Sequence, residues 1–201
     1  MAAPLTEVRG CRLAHAKLQA AITDLTDGQV ASPSLLPDWT VGHVLSHIAR
    51  NADAMSRRVT AALRSETVDQ YVGGADGRIA EIDAGAARPA DEIVADVRRS
   101  AEQLDALFAT LPADGWTRPV QTVGGGEHPV ALLPFRRWRE VEIHLVDLGL
   151  GLGSTPEDWP SDLVDLMLPR LTASLTERCD HRVLAAWALG RGPAPELGPW
   201  G

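Results

Sequence analysis

Glu140 and His144 stand four residues apart inside the stretch Pro134 to Gly149. On a helix that spacing stacks one side chain a turn above the other. A carboxylate and an imidazole so placed can grip one divalent metal when another helix supplies a third ligand. Ordinary solvated pairs share the same spacing, so the third ligand decides. Upstream, His43, His47 and Asn51 follow one another at steps of four. His47 lies about two turns inside its helix, deep enough to meet the other pair. His43 is nearer the helix start, where an imidazole caps, supports or is exposed. Two histidines and a glutamate leave a fourth position open, the arrangement of a catalytic rather than a structural zinc site.

The elements that must position these groups are helices. Proline at the first position and glycine past the end bracket 134–149 as a helix. Trp138, Val141, Leu145 and Leu148 form its core stripe. Thr40 is the expected N-cap of a second helix running to about Glu66, with Val41, Val44, Leu45, Ile48, Ala52, Met55 and Val59 facing inward. Two more amphipathic helices are expected over Thr6 to Asp24 and Asp91 to Leu111. Asp27-Gly28 and Ser32-Pro33 read as breaks, and Thr67 to Pro89 as a long connection with at most a short helix around Ile79 to Ile82. Gly124-Gly125-Gly126 reads as a turn between two short extended segments, and Leu150 to Ser154 as a helix stop and hinge. A fifth helix, Ser161 to Thr176, bends at Pro169; a short apolar segment from His181 to Leu189 and a proline-rich tail follow. The pattern predicts an all-α protein built on an antiparallel four-helix bundle. Residues 1–153 form the bundle, and 154–201 a short C-terminal helical segment and tail.

Composition narrows the function. A formal charge of -8 disfavours nonspecific nucleic-acid binding. Cys11 and Cys179 are too few for a disulfide framework or a cysteine-rich zinc site. No segment is apolar enough to span a membrane and the N-terminus lacks signal-peptide character, so a cytoplasmic protein is expected. Lys17 is the only lysine, a bias typical of high-G+C genomes. His15, His128 and His181 have no partners at helical spacing and read as structural or surface residues.

Leu36-Pro37-Asp38-Trp39-Thr40-Val41-Gly42-His43-Val44-Leu45-Ser46-His47-Ile48-Ala49-Arg50-Asn51, followed downstream by Arg139-Glu140-Val141-Glu142-Ile143-His144-Leu145-Val146-Asp147-Leu148, resembles the mycothiol-dependent maleylpyruvate isomerase family. That family belongs to the DinB-like four-helix-bundle superfamily. The resemblance places the metal ligands on His47, Glu140 and His144 and implies zinc, with mycothiol as thiol cosubstrate in an actinobacterial cytoplasm. Gly190-Arg191-Gly192 resembles a late family motif, which assigns Arg191 to holding the cosubstrate or an acidic substrate. An arginine at a helix end also meets free carbonyls. Asn51 and Arg137 match polar positions near the family's cleft. The isomerase proper carries a longer C-terminal domain than the residues after Gly149 provide.

The chemistry implied is thiol activation. A free thiol with a pKa of roughly 8.5 is mostly protonated at neutral pH, and zinc coordination deprotonates it. In the isomerase reading the thiolate adds to the cis double bond of maleylpyruvate, the bond rotates, and the thiol leaves. Arg191 and Arg137 then hold the substrate carboxylates. In the S-transferase reading the same thiolate attacks another electrophile and the adduct is released. A metal-dependent hydrolase, with Asp147 as a poorly placed base, and a non-catalytic binding module are the readings from other classes. The partners are thus a small thiol and a small electrophile, and the protein is a monomer or homodimer. Two imidazoles and a carboxylate also suit nickel, iron and copper.

Overall fold

A computed structural model describes residues 3–122, 126–149, 151–152 and 154–198. The chain divides into two compact units, Met1–Asp158 and Trp159–Gly201. The first is a four-helix bundle of α1 (Leu5–Ile22), α3 (Val41–Leu63), α5 (Ala90–Thr110) and α6 (Leu133–Asp147). Each packs on two others: α3 on α5 and α6, and α1 on α6 and α5. The core stripes are those of the apolar periodicity, with Leu18, Ile22, Leu45, Ile48, Ile93, Leu104 and Leu145 at most 2 % exposed.

Pairwise contacts set the helix directions. His47 meets Glu140 while Asn51 meets Arg137, so α3 and α6 are antiparallel. Arg50 meets Asp96 and Asp53 approaches Arg99, so α3 and α5 run the same way. Two neighbouring parallel helices need a connection that returns along the bundle. Since α3 is about 35 Å long at 1.5 Å per residue, that return cannot be a tight turn. The chain makes it through α4 (Gly74–Ala86), which packs back along α3. The sequence reading of 67–89 as mainly a loop underestimates this helix, because its glycines and alanines carry little periodic signal. The approach is close. A side-chain carbon at Gly85 would lie 2.4 Å from Ser46 Oγ, and one at Gly42 would lie 2.9 Å from the Ala86 carbonyl oxygen.

The expected break at Asp27-Gly28 is instead one helical turn, α2 (Asp27–Val30), with a reciprocal cap between Thr26 and Gln29. Between α5 and α6, β1 (Pro119–Gln121) and β2 (Glu127–Pro129) pair antiparallel, Val120 opposite His128. Gly124 and Gly125 of the expected glycine turn lie outside the described residues, as do Leu150 and Gly153 of the expected hinge and the last three residues of the tail.

In the second unit, α7 (Ser161–Arg178) contains Pro169 within its span, and α8 (His181–Ala188) is capped by Asp180, which accepts from the N–H groups of Arg182 and Val183. Gly190, with φ of 67°, follows that helix. No helix among the described residues is long and apolar enough to cross a membrane.

Candidate metal centre

His47 enters the site from α3, whose start is built tightly. Thr40 caps the helix, and His43 reciprocates: its Nδ1 accepts the Thr40 N–H at 3.2 Å. His43 therefore serves the cap and leaves His47 to reach inward. Asp38, with a left-handed φ of 63°, turns the chain just before Trp39. The Trp39 ring stacks on His43, with centroids 6.2 Å apart, and meets His47 edge-on at 5.6 Å.

From α6 come Glu140 and His144. Glu140 Oε1 lies 2.8 Å from His47 Nε2 and 3.6 Å from His144 Nε2. The two imidazoles meet edge to face, 4.8 Å between centroids. One donor atom from each of the three residues falls within 4.8 Å of the others, a group that could hold one ion. Two ring nitrogens and a carboxylate suit zinc and its neighbours among divalent cations.

The surroundings set the charge of each of the three groups differently. Burial alone would raise the Glu140 carboxyl, but hydrogen bonds from His144 and His47 hold it well below the usual range. Burial pushes the His47 imidazole down, outweighing its bond to Glu140. Burial also acts downward on His144, but the carboxylates of Asp147 and Glu140 prevail and lift it to about 9. His144 Nδ1 lies 2.8 Å from Asp147 Oδ2, so it donates there and directs Nε2 at the site. Asp147, considered in sequence as a base, is thus a partner of a ligand candidate. Histidine ligands commonly use their second nitrogen in this way. Arg78 of α4 donates through Nη2 to His47 Nδ1 at 3.1 Å. Neither Arg78 nor Trp39 was singled out for the site from sequence. The fixed spacing of Trp39 to His43 and His47 was the available signal; Arg78 had none, because its helix was not legible.

Asn51 and Arg137 lie in the interior and pair with each other. Arg137 is 0 % exposed and donates from Nη1 to Asn51 Oδ1 at 3.0 Å and to the Ile48 carbonyl at 2.8 Å. Its Nε donates to His15 Nε2 at 2.9 Å, while His15 Nδ1 bonds Asp105 at 2.9 Å. Burial holds His15 below its ordinary value, so it accepts from Arg137 and donates to Asp105. Cys11 joins His15 and Asp105 in a second compact group of potential ligands. There the Arg137 guanidinium already occupies His15 Nε2, which opposes a cation; burial also pushes the Cys11 thiol upward. Arg191 lies in the second unit, exposed, with Nη1 bonded to the Gly190 carbonyl at 3.3 Å.

A profile of the mycothiol maleylpyruvate isomerase N-terminal domain matches residues 11–149. The chain belongs to that family. The matched span runs from within α1 to the end of α6 and holds all three residues of the cluster. Among solved structures, the family member resembles a mycothiol-dependent maleylpyruvate isomerase, with 26% identity, a TM-score of 0.80, and coverage of 87% of this chain and 71% of that one. A histidine-to-alanine mutant of that isomerase gives the same figures. YfiT from Bacillus subtilis, described as a probable metal-dependent hydrolase with an unusual four-helix bundle topology, shares the fold at 19% identity and a TM-score of 0.59, covering 76% of this chain and 89% of its own. No curated protein matches the sequence.

Proposed function

We propose that this family member is a mycothiol-dependent enzyme in which His47, Glu140 and His144 hold a divalent cation, zinc by preference. The observation that carries the proposal is the convergence of their donor atoms within 4.8 Å around an ionised, half-buried carboxylate. Such a cation lowers the pKa of a bound thiol, so that mycothiol is supplied as a nucleophile at neutral pH. Glu140 contributes the negative charge that compensates the cation. His144 gives up its Nε2 proton while Asp147 keeps the Nδ1 proton and the ring orientation. Arg137 and Asn51, assigned by resemblance to the cosubstrate, would act from beneath the site by bracing α3 against α6. Arg191 would hold a carboxylate of the cosubstrate or substrate.

The reaction best supported is cis–trans isomerisation of the maleylpyruvate type, through the likeness to the solved isomerase. A second reading, S-transfer to another electrophile, uses the same thiolate and the same three ligand candidates. A cytoplasmic enzyme acting on small molecules, not nucleic acid, fits both.

Metal analysis of the purified protein should find about one divalent ion per chain, lost in His47→Ala and His144→Ala. Calorimetry should then show metal-dependent binding of mycothiol. Ultraviolet assay with maleylpyruvate and mycothiol separates the readings: turnover without loss of thiol marks the isomerase, and consumption of thiol the transferase. Thiol binding that is indifferent to the metal would reject both.

A further inference from the structure

The two histidines of the cluster are prepared differently. His144 donates from Nδ1 to Asp147 at 2.8 Å, the hydrogen bond that a histidine ligating through Nε2 requires. His47 has the opposite arrangement. A guanidinium carries only donors, so the 3.1 Å contact from Arg78 Nη2 makes His47 Nδ1 an acceptor. The ring proton must then sit on Nε2, donated to Glu140 Oε1 at 2.8 Å. In that tautomer the nitrogen facing the cluster has no lone pair to offer.

We infer that Arg78 is a positioning residue that lowers the metal affinity of the site, and that it leaves His47 when the site is loaded. The inference rests on the metal reading given above. Ligation through Nε2 requires the proton there to move to Nδ1, leaving the ring's total protonation unchanged. Nδ1 then presents an N–H to the Arg78 guanidinium, two donors face each other, and the contact breaks. The positive charge of Arg78 adds a repulsion of the same sign. Arg78 is not left without a partner when that contact breaks: it is only half-buried, and its guanidinium carbon already lies 5.7 Å from the centre of the Tyr71 ring.

The test titrates zinc into metal-free wild type, Arg78→Ala, Arg64→Ala and His47→Ala, with circular dichroism melts to check folding. Arg64 is an exposed arginine just past α3 and controls for lost charge. Losing a charge-assisted hydrogen bond that exists only in the metal-free state should tighten zinc binding in Arg78→Ala by about tenfold. Arg64→Ala should stay within about twofold. Nitrogen-15 spectra should show His47 protonated at Nε2 in the metal-free wild type and at Nδ1 once zinc is added. Equal or weaker zinc binding in Arg78→Ala, or an Nδ1–H tautomer already present without metal, overturns the inference. If wild type binds zinc and His47→Ala does not, that failure belongs to Arg78 alone; if wild type takes up no zinc, the metal reading falls as well.

Discussion

Replacing Asp147 with asparagine keeps the shape of the group behind His144 and removes its charge. In the metal-free protein His144 is raised from 6.5 to about 9, against burial that acts downward. Asp147 is the first of the groups that raise it, ahead of Glu140. A gap of that size corresponds to about 3 kcal/mol of folding free energy, with Asp147 foremost among the groups that supply it. The sign follows from linkage: a pKa raised by folding contributes fully below the unfolded value of 6.5 and is lost as pH climbs through 9. Urea unfolding of the metal-free proteins should therefore find Asp147→Asn less stable by about 1–3 kcal/mol near pH 6. Near pH 9.5 the deficit should shrink to about 0.5 kcal/mol. Proton NMR should show the His144 ring titrating at lower pH in the variant. Zinc affinity should fall about 10- to 100-fold, as when other supporting partners of ligating histidines are removed. A deficit that is the same at both pH values, or an unmoved His144 titration, would falsify this account of the Asp147–His144 pair.

Gly10 is where α1 closes on α6: a side-chain carbon there would stand 2.4 Å from the Trp138 ring, so Gly10→Ala should cost about 1–3 kcal/mol in thermal or urea unfolding. Asp96 of α5 gathers Arg50 of α3, Arg88 from the link between α4 and α5, and Arg99 of its own helix. Burial raises its carboxyl, but the bonds from Arg88 and Arg99 prevail and hold it below the ordinary value. Its contribution is therefore present above the unfolded pKa and lost as pH falls through the folded one. Asp96→Asn should lower stability by about 1–3 kcal/mol at pH 7, with a smaller deficit near pH 3. Cys11 is 0 % exposed with its thiol pushed upward, whereas Cys179 is half-buried. Peptide mapping after alkylation of the native protein should find label on Cys179 and none on Cys11 until the chain unfolds.

How much of this was legible beforehand depends on the range of the interaction. The stacking of Glu140 and His144, the cap at Thr40 and the inward stripes of α1, α3, α5 and α6 are matters of three- and four-residue spacing, and helical geometry turns spacing directly into proximity. The four-helix architecture follows from those stripes, since each apolar face must find another. The pairing of His47 with that carboxylate needed one further assumption, that α3 faces α6. Packing alone decides which faces meet, and it does so through residues such as Gly10 and Trp138 that have no chemistry of their own.

What only the folded chain decided is how the ligand candidates are held. Arg78 reaches His47 because α3 and α5 run parallel and force the intervening chain to return as α4, and no local pattern encodes that requirement. Arg137, read as a cleft residue, is instead bonded inside the bundle to Asn51, the Ile48 carbonyl and His15. A buried guanidinium must find acceptors wherever the surrounding helices bring them. Those acceptors lie 86 to 122 residues away along the chain. The residue types that can bind a metal were therefore written in the order of the letters. Their tautomers and charges were set by neighbours that only the tertiary structure could supply.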